Sequence, residues 1–237
     1  MAIERFLAAV PAEIRENWRQ SPRLAYMGCH FSSSGPGLSQ LPKALPGGSL
    51  LLVDDRTPIQ SHDSELVAQQ LRDAVETLEC RGVLLDFQRP VTEEARAMAK
   101  ALVDALPYPT GVTASYAQGL SCPVSLPPIP CHVPLSEHLA LWQGREIWLE
   151  LSSQGETIAL TQKGASVVPL IESPRGPWFS EESLHCHYAI SLTEDCVRFS
   201  LLRTREDLAA LEREVEGYGV TVTLGQWQEF RSFPGNA

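Results

Sequence analysis

Cysteine is scarce in this 237-residue chain: there are six, and no two of them form a C-x-x-C pair. So sparse a set excludes a disulfide scaffold and a thioredoxin-type redox motif, and it reads as reduced thiols, mostly buried. Long apolar runs are also missing. No stretch approaches the ~18 consecutive apolar residues of a membrane helix. The first ten residues carry Glu4 and Arg5 inside a short apolar stretch, without the unbroken apolar core of a secretory signal, so a cytoplasmic location is expected. Basic residues are in deficit, with 19 Lys and Arg against 29 Asp and Glu and a formal net charge of −10. That balance argues against broad electrostatic capture of nucleic acid or of an anionic membrane, and favours a neutral or cationic ligand. The common nucleotide and esterase signatures are absent too. The loop Ser32 to Gln40 is not a G-x-G-x-x-G turn, and neither G-x-x-x-x-G-K-[ST] nor G-x-S-x-G occurs. With no fixed-period repeat, a solenoid is excluded as well.

What is present is an ordinary globular composition, 43% hydrophobic and 20% charged, long enough for one domain with a sizeable core. Leu24 to Phe31, Ser49 to Asp55 and Gly82 to Phe87 read as buried strands bounded by Pro and Gly. Between the last two, Leu66, Val67, Leu71, Val75 and Leu78 recur at helical spacing, with Ser61 or Asp63 available as N-cap. Thr92 opens a second helix, alanine-rich, that Pro107 and Pro109 stop near Leu106. The rhythm continues through Gly111 to Tyr116, a short run at Cys122 to Leu126, a helix near Ser136 to Trp142, and Glu146 to Leu151. It is then interrupted by two hairpin-like pairs, Thr157 to Leu170 and Tyr188 to Leu202, before a charged helix from Thr204 to Glu216, capped by Gly217, and a last strand Val220 to Leu224.

Strands alternating with helices imply parallel pairing with right-handed crossovers. The expectation is a single α/β domain, residues 1–237, folded as a (β/α)₈ TIM-type barrel, complete or lacking an element, with an antiparallel insertion at roughly 155–200. A doubly wound open sheet is the competing architecture. Side chains alternate along a strand, so each should show an inner and an outer face. The faces holding Tyr26, Gly28 and His30, then Leu84, Asp86 and Gln88, then Trp148, Glu150 and Ser152, and finally Thr221, Thr223 and Gly225 become more polar toward the strand end. That is the expected form of a ligand pocket at the C-terminal mouth. Ala25, Met27, Cys29 and Phe31 are assigned to the face against helices.

The most informative segment is Arg81-Gly82-Val83-Leu84-Leu85-Asp86-Phe87-Gln88. It resembles the D-G-x-D-x-D-[WF]-E strand of glycoside hydrolase family 18, the chitinase-like (β/α)₈ enzymes. Gly82, Asp86 and Phe87 match that pattern, whereas Arg81 and Leu84 stand in place of its first two aspartates and Gln88 in place of its final glutamate. The C-terminal Gly219 to Trp227 is similar to the family's last strand, which often ends in a Trp at the floor of the sugar site. In the family the glutamate is the general acid, the preceding aspartate orients the substrate's N-acetyl group, and hydrolysis is substrate-assisted. The Asp-bearing strand counts third here, where the family has it fourth.

The resemblance implies a carbohydrate-sized mouth built from His30, Asp55, Asp86, Gln88, Tyr116, Glu150 and Trp227. It also implies loss of family-type hydrolysis, because an amide has no titratable proton to deliver. Three readings follow: a barrel that binds an oligosaccharide or related small neutral molecule, an active glycoside hydrolase in which Glu150 or Asp55 replaces the acid, and a non-enzymatic partner-binding scaffold. Asp54 is a further substitute acid, although the Asp54-Asp55 pair also suits capping of the turn toward Thr57. No cofactor is expected. His185-Cys186-His187 and Cys131-His132 carry metal-capable side chains without a ligand motif, so no metal is expected either.

Overall fold

The computed structural model describes residues 2–14, 23–174 and 176–230. In chain order the elements are β1 (Glu4–Ala9), β2 (Leu24–Phe31), β3 (Leu38–Ser39), β4 (Leu50–Asp54), α1 (Ser64–Thr77), β5 (Gly82–Asp86), α2 (Glu93–Ala105), β6 (Thr110–Thr113), β7 (Val124–Leu126), α3 (Leu135–Leu139) and β8 (Ile147–Leu151). They continue with β9 (Glu156–Thr161), β10 (Gly164–Pro169), β11 (Phe179–Glu181), β12 (Cys186–Leu192), β13 (Cys196–Leu202), α4 (Arg205–Val215), β14 (Val220–Gln226) and α5 (Trp227–Phe230). The chain divides into two compact units. One comprises the residues up to Pro127, Gly144–Glu150 and those from Val220 onward; the other comprises Pro128–Gln143 and Leu151–Gly219. Among the described residues no helix is long and apolar enough to cross a membrane.

The first unit holds a closed eight-stranded parallel barrel in the order β1-β2-β4-β5-β6-β7-β8-β14 and back to β1, with β3 antiparallel on β2. This is the TIM-type architecture the strand-helix rhythm implies. The helices start where their caps dictate: the Asp63 carboxylate accepts from the amides of Glu65 and Leu66, and the Thr92 hydroxyl from that of Ala95. Each then lays a buried stripe inward, Val67, Ala68, Leu71 and Val75 on α1 and Ala95, Met98, Ala99 and Leu102 on α2.

The sequence reading gave no strand to Glu4–Ala9. Its Glu, Arg, Leu and Ala are good helix formers, but the segment lies between β14 and β2 and pairs with both, and ladder formation on two sides overrides local propensity. Counting β1 makes β5 the fourth barrel strand rather than the third, which removes the mismatch in strand order noted above.

Inside the barrel, Phe6 and Ala8, Ala25, Leu50 and Leu52, Leu84, Trp148, and Val222 and Leu224 pack into one cluster, with Met27 against it. Two face assignments are corrected by this. Ala25 and Met27 point into the barrel, and on β14 the inward residues are Val222 and Leu224 rather than the threonines, because the closed interior takes the larger apolar side chains. Trp148 fills the volume across from β6, where Gly111 leaves room: a Cβ there would lie 2.5 Å from Trp148 Cε3.

The second unit contains a five-stranded antiparallel sheet, β10-β9-β13-β12-β11. Both hairpins expected from sequence are present, β9 with β10 and β12 with β13. Arg203 is buried in this unit and donates to the carbonyls of Ile129, Pro130, Leu184 and His185, tying two loops to the end of β13. The left-handed residue that ends the α4 region is Gly219, at φ +84°, two residues beyond the expected Gly217.

Candidate functional site

Alternation along β4 continues the inward series Leu50, Leu52 to Asp54, and along β5 it continues Leu84 to Asp86. The two aspartates are register partners on adjacent strands, and His30 is the partner of Asp54 on the other side. His30 reaches this row because β2 carries one extra residue between Tyr26 and Cys29, a bulge that switches its faces. Gly28 permits the bulge, since a Cβ at that position would lie 2.3 Å from Tyr26 Cζ. Strict alternation therefore placed His30 correctly for the wrong reason, and the bulge itself leaves no mark in the hydrophobic pattern.

His30, Asp54 and Asp86 thus form a continuous row at the C-terminal ends of the second, third and fourth barrel strands. Glu150 joins them from the seventh, two residues beyond Trp148 on the same face of β8. Partner by partner, the row is unevenly satisfied. Asp54 holds the Arg56 guanidinium in a two-pronged pair, Nε at 2.8 Å from Oδ1 and a terminal nitrogen at 2.5 Å from Oδ2, and accepts from the Arg56 amide at 3.0 Å. Asp86 accepts from the Gln88 side-chain amide. Burial pushes its pKa above the usual carboxylate range, the Gln88 hydrogen bond draws it back, and the Asp54 and Asp55 charges push it up again. Glu150 is shifted furthest: burial, then the Asp86 charge, push it up to about 7. The His30 Nδ1 lies 3.1 Å from the Gly28 carbonyl.

Two other residues singled out from sequence, Asp55 and Tyr116, lie elsewhere. Asp55 follows Asp54 and faces the opposite way. It is buried, and its carboxylate accepts from the backbone amides of Gln88 at 2.8 Å and Arg89 at 3.1 Å, so it braces the loop after β5 instead of standing in the mouth as an acid. Tyr116 is not on a strand, because β6 ends at Thr113. Its ring packs edge-on against Phe87 with centroids 5.4 Å apart, and its hydroxyl donates to the carbonyls of Arg89 and Pro90, again under that loop. Trp227 begins α5 directly after β14 and is half-buried. Asp55 and Tyr116 instead line a cavity of about 490 Å³ between the loops after β4 and β5, together with Ile59, Arg89 and Thr92.

Sequence reasoning missed Arg56 and Thr113. The Thr113 hydroxyl donates to the Leu85 carbonyl and accepts from the Phe87 amide, fixing the strand end from which Asp86 and Gln88 project. A signal for Arg56 existed in the Asp-x-Arg spacing; none existed for Thr113, whose partners are 26 and 28 residues away. Among the described residues no group of three or more His, Cys, Asp or Glu side chains could hold a metal ion. His185 and His187 pair instead with Glu214 and Asp207, at 2.7 and 2.8 Å.

The bracing role of Asp55 is open to test. Asp55→Ala removes the acceptor of two part-buried loop amides and is expected to cost about 1–3 kcal/mol in chemical denaturation, against less than about 1 kcal/mol for the isosteric Asp55→Asn, which keeps an acceptor.

No family model matches the chain, and no curated protein matches it either. Its fold, however, is shared with solved glycosidase barrels. It is similar to the spore cortex-lytic enzyme SleL of Bacillus cereus (TM-score 0.62, 13% identity, covering 99% of this chain and 72% of that one). It is also similar to a glycoside hydrolase family 18 N-acetylglucosaminidase from Paenibacillus barengoltzii (TM-score 0.61, 10% identity, 94% of each chain). A third is a family 18 chitinase from Cycas revoluta solved in complex with (GlcNAc)3 (TM-score 0.59, 9% identity, 93% of this chain and 94% of that one). Structurally, then, the chain is a TIM-type barrel carrying an antiparallel insertion, a fold it shares with these enzymes.

Proposed function

We propose that the C-terminal mouth of this barrel is a carbohydrate site in which the family's route of hydrolysis is closed. The observation that carries the reading is the end of β5: Asp86 projects inward from the fourth barrel strand, and two residues on, where the family pattern has its acid, stands the Gln88 amide hydrogen-bonded to Asp86. Gln88 orients but delivers no proton. The amide donates to Asp86, which leaves the Gln88 carbonyl oxygen free to accept from a sugar hydroxyl or N-acetyl N–H. His30 supplies a ring nitrogen and Trp227 an aromatic surface at the neighbouring strand ends. The structural likeness to barrels that act on or hold N-acetylglucosamine chains supports this ligand class, as does a chain whose negative charge disfavours polyanions. A cytoplasmic location remains part of the proposal.

Calorimetric titration of the full chain with N-acetylglucosamine trimer tests it. Saturable binding with one site per chain is expected, at micromolar to millimolar Kd; the absence of any heat up to 10 mM sugar, a concentration of about 10⁻² M, would leave the scaffold reading in its place.

A further inference from the structure

We propose that Glu150 is the proton donor of this mouth, acting on a glycosidic oxygen across the barrel from Asp86. The inference rests on the carbohydrate reading above and deepens it, because it names the group that replaces the lost acid and the reaction that remains.

The placement comes from the fold. Glu150 sits on the seventh barrel strand with its side chain on the face that Trp148 commits to the interior, and Asp86 sits on the fourth with Leu84. Strands four and seven are separated by two others on one side of the closed barrel, so the two carboxyl groups approach the mouth from different sides and can flank a bound sugar instead of chelating one edge of it. The other charged groups at these strand ends are accounted for: Asp54 is held by Arg56, Asp55 faces away onto the amides of Gln88 and Arg89, and His30 is turned to the Gly28 carbonyl. Glu150 faces Asp86 as its charged neighbour, and burial in that company keeps it protonated up to about neutral pH. Of the three substitute acids weighed from sequence, Asp54 is held in the Arg56 pair and Asp55 faces away from the mouth, which leaves Glu150 for the role.

In the step, the Glu150 carboxyl proton passes to the glycosidic oxygen as the C1–O bond breaks, with the bonding pair going to that oxygen. Water adds to C1 and gives its proton to the Asp86 carboxylate. Asp86 releases that proton to solvent and Glu150 regains one, so the net reaction is hydrolysis and both groups return to their starting state.

The test uses the full chain, as wild type and Glu150→Gln, with N-acetylglucosamine tetramer and with its nitrophenyl glycoside, whose leaving group departs without protonation. Wild type is expected to cleave the tetramer, with a rate that falls as pH rises through about 7. Glu150→Gln is expected to slow tetramer cleavage by about 100-fold or more, to slow the nitrophenyl substrate by less than about 10-fold, and to keep the Kd for the trimer within about threefold. Retained tetramer cleavage in Glu150→Gln, equal losses on both substrates, or a wild type that binds sugar without cleaving it would overturn the assignment of Glu150 while leaving the carbohydrate site standing. A wild type that neither binds nor cleaves would remove both.

Discussion

Gln88→Glu is expected to raise the hydrolysis of N-acetylglucosamine oligomers at least tenfold over wild type. The substitution is nearly isosteric and places a carboxylic acid at the strand-four position where the family 18 pattern has one. Gln88 now donates a hydrogen bond to Asp86. The introduced carboxyl can keep that bond only while protonated, and the adjacent Asp86 charge disfavours its ionisation, so both effects raise its pKa toward a value useful for proton donation. General acid catalysis typically contributes 10²–10⁴-fold. The gain should fall near the lower end or below it, because Leu84 still occupies the place of the pattern's second aspartate and is committed to the barrel core. Turnover equal to or below that of wild type would mean that β5 matches the family strand in sequence pattern only.

The second large effect is on stability. Trp148→Ala is expected to cost about 4 kcal/mol, within the ~3–5 kcal/mol range for truncating a buried tryptophan, because Trp148 is 2% exposed and fills the interior among side chains from five other strands. It also releases the Glu146 carboxylate from the Trp148 Nε1 hydrogen bond, although Thr221 still donates to that group. Gly111 makes the prediction specific. In wild type, Gly111→Ala forces a methyl to within 2.5 Å of the Trp148 ring; in the Trp148→Ala background the same methyl enters the cavity. The double-mutant cycle should therefore show a coupling of at least about 1 kcal/mol in favour of the pair, by urea denaturation. Additive effects would show that Trp148 does not pack over Gly111.

How much of this was legible in the sequence differs from element to element. The run from Leu50 to Leu106 was readable because local rules and the fold agree there: leucine-rich strands, helical spacing, and caps at Asp63 and Thr92 that bond as their chemistry predicts. β1 was not readable, since its helix-forming residues become a strand only through partners at the far end of the chain. The inward placement of Asp86 and Glu150 followed from simple alternation and held. Alternation failed on β2, where the bulge at Gly28 shifts the faces, and on β14, where polarity toward the strand end was taken for the inner face. Asp55 and Tyr116 were placed in the mouth because both lie near strand ends in sequence. Their actual partners, the backbone of residues 88–90, lie about thirty residues away and are set by the juxtaposition of two loops.

The inward row at the C-terminal strand ends is tested as a sugar site most directly by a paired titration of wild type and Asp86→Ala with N-acetylglucosamine trimer under identical conditions. Wild type should bind one trimer per chain, and Asp86→Ala, which removes both the carboxylate and the anchor of the Gln88 amide, should weaken binding at least tenfold, about 1.4 kcal/mol. Equal affinity in the two proteins would place any sugar binding outside this mouth and contradict the account.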